Sequence, residues 1–415
     1  MSTITKPVML DSTGHLIVEG LARQNLLLAQ MVQTGEATPA AELAEIHRIV
    51  QSGEAANVFS IGEQLMLNWY DGTTNYVLPW DIVHFGEVEL ADGETRPGMF
   101  IQSHYAMQAV QFSATQAAVY CAEALPAGTY FFTIGTTWGS NCVAGASYYF
   151  TTTVEVPAGG QIVIGKSGDF YTWGAPDTSV TNWRVYTFAS KTSITPLETL
   201  TIEAGNSGTD IGTLSNTTKF GATGATNLQM AAYGYNRWSH SALRQYLNSG
   251  AAAGEWWVPQ HDVDRPPQQL SSVRGFMAGF DEAFLSIINP IKVRTALNTV
   301  SDVDIGTYED TVDTFFPASL EQEYIAPQLA DTEGTYWEYW KQRLGLASPQ
   351  AQGAGGANPF HIRYGYNAKT TAQYVRLRSA SRGYASSTWY VYTTGNASYY
   401  SATYAFRPAP ACVIC

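Results

Sequence analysis

The chain is expected to be a multidomain, β-rich α+β protein, and three observations predict that class. Hydrophobic residues make up 45% of its 415 residues and charged residues only 14%, which excludes a disordered polymer and suffices for two or three buried cores. Aromatic residues reach 13% beside 37 glycines, a mixture that fits strands joined by open loops. Helical spacing of apolar residues is confined to short segments, whereas strand-like runs bounded by turn dipeptides recur along the chain.

Residues 1–95 are expected to form a helical and β assembly region, with a strand-like run at His15–Val18 and a Leu-rich stretch at Leu21–Val32. A helix is expected from Thr38 to Gly53: Thr38 caps it, Pro39 takes the first turn, and Leu43, Ile46, Ile49 and Val50 recur on one face. Strands follow from Ala56, reversed at Asp71-Gly72 and Asp92-Gly93. Residues 96–195 read as a β-sandwich-like module, with Pro126-Ala127-Gly128 and Pro157-Ala158-Gly159 turns ahead of aromatic and Ile/Val-rich strands. Residues 196–229, rich in Gly, Thr and Asn, read as a linker. Residues 230–415 make up the C-terminal domain. Helices are expected there from Ser239 through Leu247, over Phe276–Ile288, and in short pieces at Leu320–Tyr324 and Tyr336–Leu344.

The formal net charge of −13 argues against general nucleic-acid binding. Charge is uneven: beyond Glu338 there is no acid, so residues 339–415 carry +8 and residues 1–338 carry −21. A basic end on an acidic body favours polar or anionic targets. Neither a secretory signal nor an apolar run long enough to span a membrane is present, so a protein made in the cytoplasm and not inserted in a membrane is expected.

Catalysis finds no positive case. His261-Asp262-Val263-Asp264 offers a histidine and two carboxylates, but adjacency in a Pro-flanked loop fits a solvated loop better than a metal site. Asp302, Asp304, Glu309, Asp310 and Asp313 supply oxygens of the kind calcium takes, without regular ligand spacing. Glu321, Glu323, Glu333 and Glu338 could furnish paired carboxylates for glycoside hydrolysis, yet nothing marks a pair. Cys412 and Cys415 lack a second pair or a βα context, and read as structural, reduced thiols. No catalytic residue, metal ligand or cofactor is expected.

The stretch Arg376–Pro408 is different. Tyr384, Trp389, Tyr390, Tyr392, Tyr399, Tyr400 and Tyr404 are interleaved there with Ser, Thr, Asn, Ala and Gly, the mixture found in contact surfaces selected for recognition; an edge hairpin shares much of that composition. Strand alternation puts Trp389 and Val391 on one face and Tyr390 and Tyr392 on the other, with a turn at Thr394-Gly395-Asn396 and a returning strand from Ala397 to Phe406.

Two motifs in this half carry a family resemblance. Ser241-Ala242-Leu243-Arg244-Gln245-Tyr246-Leu247-Asn248, preceded by Trp238, resembles the S-x-L-R-x-[WY]-L-N signature of certain phage and bacterial domains. Leu377-Arg378-Ser379, followed by Gly395 and Arg407-Pro408-Ala409, resembles their ending. Residues 230–415 thus resemble the variable proteins of diversity-generating retroelements, with two departures: Tyr374-Val375-Arg376 stands where a Trp is usual, and residues 410–415 lie outside the pattern.

The resemblance implies a C-type-lectin-like fold, related to formylglycine-generating enzymes, in a phage receptor-binding protein of the virion, such as a tail fibre. It implies a variable face made of Tyr384, Ser386, Ser387, Thr388, Tyr390, Tyr392, Ser398, Tyr399, Tyr400, Ser401, Thr403 and Tyr404. Trp389, Val391, Gly395, Ala397, Ala402, Arg407 and Pro408 would be its frame. Implied partners are a bacterial host-surface protein or glycan, other virion proteins and further copies of the chain, a trimer favoured. The alternative is a virion decoration or glycan-degrading protein with its activity in the central β-module.

Overall fold

The computed structural model describes residues 36–113, 234–260, 264, 266–299, 302, 305–330 and 333–415, together with Glu155 and the backbone of short strands between 119 and 214. Of the expected β-sandwich-like module and linker, the described part is residues 96–113, Glu155 and the backbone of the short strands between 119 and 214; His261-Asp262-Val263 lies outside the described residues.

The protein is β-rich, with several sheets and few helices. The helices are α1 (Ala40–Gln51), α2 (Ala55–Val58), α3 (Ala242–Leu247), α4 (Glu282–Leu285) and α5 (Glu338–Leu344). The N-terminal strands are β1 (Gln64–Tyr70), β2 (Asn75–Glu89), β3 (Thr95–Ser103) and β4 (Val110–Gln111). Then come β5 (Val119–Tyr120), β6 (Gly128–Ile134), β7 (Ser147–Thr152), β8 (Gln161–Val163), β9 (Asn182–Arg184), β10 (Glu198–Glu203) and β11 (Thr213–Leu214). The C-terminal part adds β12 (Ile291–Ala296), β13 (Tyr308–Asp313), β14 (Phe316–Pro317), β15 (Tyr364–Gly365), β16 (Ala368–Ala372) and β17 (Val375–Ala380). It ends with β18 (Ser387–Val391), β19 (Ala397–Ser401), β20 (Ala405–Pro408) and β21 (Pro410–Ile414).

Two five-stranded sheets organise these elements, one in the order β1-β2-β3-β21-β14 and the other β19-β18-β17-β20-β4. The turns Asp71-Gly72 and Asp92-Gly93 reverse the first sheet as expected: Asp71 Oδ1 accepts from the amides of Thr73 and Thr74, and Asp92 Oδ1 from that of Glu94. Only Ala409 separates β20 from β21, so the chain steps from one sheet to the other between Pro408 and Pro410. β21 then pairs antiparallel with β3, Cys412 opposite Ile101 and Val413 opposite Phe100. Every residue of β21 is buried, as is Cys415 beyond it. At Gly98 on β3 an added Cβ would lie 2.8 Å from Val413 Cγ1, so glycine permits the approach of β21.

This pairing corrects the expected domain division. Residues 36–113 and 234–415 build one core, in which Leu65, Trp80 and Ile101 join Trp238, Phe315 and Val413. The border placed at 95/96 coincides with the start of β3, and β4 pairs with β20. The tail of residues 410–415, outside the family pattern, is a core strand, and both its cysteines are free and buried.

Local expectations also shift. Thr38 does not cap α1: its Oγ1 accepts from Met66 N at 3.2 Å, tying the segment to β1 while Pro39 precedes the helix. Ser241, not Ser239, caps α3, accepting from Arg244 N. Phe276–Ile288 splits into a 3-10 turn (Phe276–Gly279) and α4, since Gly279 packs directly against Trp69, where a Cβ would meet Nε1 at 2.4 Å. Leu320–Tyr324 is a tight turn, with Tyr324 at φ +54°.

Buried polar groups join the N-terminal sheet to the C-terminal segments. Asp81 accepts from Tyr339 Oη at 3.0 Å and bonds His104 Nδ1 at 2.9 Å. Glu323 accepts from Gln102 Nε2 at 2.8 Å and bonds His361 Nε2 at 2.7 Å. Burial pushes both carboxyls up, but the histidine bonds and the Arg363 charge outweigh it, holding each below its ordinary value. A carboxyl depressed in the folded state stabilises above its unfolded range, and that contribution disappears as pH falls through the folded value. Urea midpoints are therefore expected to drop on acidification below about pH 4, with a shallower loss in Asp81→Asn and Glu323→Gln variants. A fragment of residues 230–415 alone is expected to lack a cooperative urea transition, because β21 then has no β3; a sharp two-state transition would contradict the shared core.

Candidate binding face

Register decides which side chains share a face of the second sheet. Tyr390 of β18 stands opposite Arg376 of β17 and Ser398 of β19, and Thr388 stands opposite Tyr400. Trp389 stands opposite Tyr399, and Val391 opposite Val375 and Ala397. Trp389, Val391, Val375, Leu377 and Ala397 pack into one apolar cluster with Leu320 and Ile325, so that face is core. Trp389 Nε1 donates to Gln328 Oε1 at 2.9 Å.

The other face carries linked aromatic rings. Tyr374 stacks on Phe406 with centroids 5.1 Å apart and meets Tyr392 edge-on at 4.9 Å. Phe406 also contacts Tyr390 at 4.9 Å, Tyr400 at 5.9 Å and Tyr404 at 6.2 Å, and Tyr400 meets Tyr404 edge-on at 4.7 Å. Tyr374, Tyr400 and Tyr404 are 37%, 44% and 45% exposed, so the rings form an open platform. Hydroxyl bonds to Tyr392 and to Tyr404 push the phenols of Tyr374 and Tyr400 up.

Arg376 holds the platform from beneath. Fully buried, its guanidinium lies 4.4 Å from the Phe406 ring centroid and donates to Thr388 Oγ1 at 2.6 Å. It also donates to the carbonyls of Tyr400, Ser401 and Tyr404 at 3.3, 3.1 and 3.0 Å. Burial lowers this guanidinium to about 9, with Tyr390 opposing, so it stays charged at neutral pH and fixes the loop that presents Tyr400 and Tyr404. Asn236 performs a matching task nearby, donating from Nδ2 to the carbonyls of Tyr384 and Ser387 at 2.7 Å each. The turn beyond Tyr392 needs Gly395, at φ +82°, where a Cβ would lie 1.9 Å from Asn358 O.

The residues expected on a variable face therefore divide into four groups. Tyr392, Tyr400 and Tyr404 join the platform, and Ser398 shares its face. Tyr384 and Tyr399 stack together at 5.0 Å, but Tyr399 contacts Trp389 at 5.4 Å on the opposite side of the sheet. Ser387, opposite Ser401, and Thr403 are half-buried, the Ser401 and Thr403 hydroxyls bonding at 2.8 Å. Ser386, Thr388 and Tyr390 are buried, a correction for these three: Thr388 is bound by Arg376, and Tyr390 is covered by Tyr374, Tyr392 and Phe406. Tyr374 and Phe406 were absent from the expected set although both flank its strands.

The remaining candidates prove structural. Glu309 accepts from Arg237 and Ser239, Asp310 from Arg294, and Asp313 from Arg244 and Trp238, so these carboxylates are held by separate partners. Asp302 accepts from Asn298, Asp264 accepts from Tyr235 and Gln260, and Asp304 lies outside the described residues. Glu321, Glu323 and Glu333 are buried. Arg363, Arg376 and Arg378 are also buried, so the basic end is far less basic at its surface than its sequence suggests. A cleft of about 490 Å³ lies elsewhere, lined in part by Glu89, Lys292, Arg294, Asp310 and Glu321, and its cations are closed by Glu89 and Asp310.

The motif residues are scaffold. Arg244 pairs with buried Asp313 at 2.6 Å, and Asn248 caps the chain at Thr314 and Phe315. Arg378 donates to the carbonyls of Pro317 and Arg294, and Ser379 to Glu333. A family model described as a domain of unknown function, DUF6273, matches residues 213–414, spanning both motifs and the aromatic platform. No curated protein and no solved structure matches the chain.

Replacing Arg376 with Met is expected to destabilise the fold by about 3 kcal/mol, because several buried carbonyls lose a charged donor. Tyr400→Ala and Tyr404→Ala should each shift stability by less than about 1 kcal/mol, as exposed truncations do. Thermal unfolding of the three variants checks both expectations.

Proposed function

We propose that this protein is a phage virion receptor-binding protein that acts by binding alone, presenting the tyrosine platform to a bacterial surface ligand. In the same reading, the C-type-lectin-like fold that the resemblance implies for residues 230–415 carries exposed positions diversified by a retroelement. The observation that carries the reading is the separation of duties across one sheet. Side chains that fix the backbone, Arg376, Thr388, Trp389 and Asn236, are buried, while Tyr374, Tyr400 and Tyr404 project from it. Exposed side chains on such a frame can change without altering the core, which is what a surface selected for changing partners requires. Family resemblance in the two motifs supports the virion setting, where further copies of the chain, a trimer in this proposal, add avidity.

Exchanging Tyr392, Ser398, Tyr400 and Tyr404 together for Ser, Asn or Ala is expected to leave the melting temperature nearly unchanged and to abolish or redirect binding to a panel of bacterial cells. Equal cell binding by the exchanged protein would sink the proposal. The gene neighbourhood offers a second check: a near-copy of the stretch encoding residues 376–408, differing mainly at adenines, beside a reverse transcriptase gene.

A further inference from the structure

We propose that the ligand of this face is a neutral glycan, held by sugar rings stacking on Tyr374, Tyr392, Tyr400, Tyr404 and Phe406; this rests on the binding-face reading above. The first ground is charge. The charge recorded against these rings is the Arg376 guanidinium, 4.4 Å from the Phe406 ring centroid, while Tyr374, Tyr390, Tyr392 and Tyr400 pack against one another, Tyr404 and Phe406. Arg376 is buried under Phe406, where its charge opposes a cationic ligand without being accessible to an anionic one. A formal net charge of −13 further repels polyanions.

The second ground is the kind of polar group available. The platform and its rim offer hydroxyls: the Tyr374–Tyr392 and Tyr400–Tyr404 pairs, with Ser398 across from Tyr390 and the Ser401–Thr403 pair at 2.8 Å. Hydroxyls both donate and accept, which matches a polyol, whose own hydroxyls do the same. Shape is the third ground. The rings lie on an open sheet face, with Tyr374, Tyr400 and Tyr404 exposed side by side, which suits an extended chain of rings.

The test uses the full chain in affinity electrophoresis through gels containing dextran or galactomannan as neutral probes and polygalacturonate or dextran sulfate as acidic ones. Retardation by a neutral polymer is expected, unchanged between low and high salt and weakened about tenfold or more in Tyr400→Ala and Tyr404→Ala. Tyr308→Ala, on β13, serves as the exposed-tyrosine control and should bind as the unmodified protein does. In parallel, bacterial cells bound by the protein are treated with periodate, which cleaves sugar diols, or with protease. Loss of binding after periodate alone agrees with the proposal. Retardation only by acidic polymers, no retardation by either neutral polymer with periodate-resistant cell binding, or loss after protease alone overturns it. In those cases the binding-face reading stands if the Tyr400 and Tyr404 variants have lost cell binding; if they bind cells normally, both readings fail.

Discussion

The rest of the structure depends on the antiparallel pairing of β21 with β3. It brings residues 410–414 against residues 99–102, closing a loop of roughly three hundred residues through backbone bonds and a fully buried apolar strand. Because only Ala409 separates β21 from β20, anchoring one strand sets the position of the other. β20 in turn lies parallel to β17 and antiparallel to β4, and it carries Phe406 at the centre of the aromatic platform. The platform is therefore mounted on the core through a connection of one residue.

Buried arginines translate that anchoring into the shape of the surface. Arg376 reaches the carbonyls of the Tyr400–Tyr404 loop, and Arg378, two residues on, reaches those of Pro317 and Arg294. Both are desolvated cations, which burial pulls down to about 9 and about 10. Such groups persist where their forked donors satisfy several carbonyls that no strand partner reaches. The consequence is a loop whose backbone is specified from inside, leaving Tyr400 and Tyr404 outside the core.

Several expectations rested on residue type and were changed by geometry. A run of positive residues after Glu338 suggested a basic surface, yet Arg363 turns inward to the carbonyls of Ser103 and His104, beside the buried Glu323–His361 pair. A cluster of acids between 302 and 313 suggested a cation site, yet alternation along β13 sends Glu309 and Asp310 to different partners, Arg237 and Arg294. In both cases composition recorded the charges correctly but could not record direction.

Local order was legible where it depends on neighbours in the chain. The face of α1 formed by Leu43, Ile46, Ile49 and Val50, the two Asp-Gly reversals and the opposition of Trp389 to Tyr390 all follow from helical or strand periodicity and turn chemistry. What the sequence determined by itself is thus the β-rich class, the core side of β18 and the stretch that carries the exposed tyrosines. Only the tertiary structure decided that residues 36–113 belong with 234–415, that residues 410–414 are a central strand, and that Tyr374 and Phe406 complete the platform while Tyr399 lies across the sheet. The reason is physical: those outcomes depend on which strands pair across long separations, and pairing energy resides in contacts between segments that no local pattern identifies.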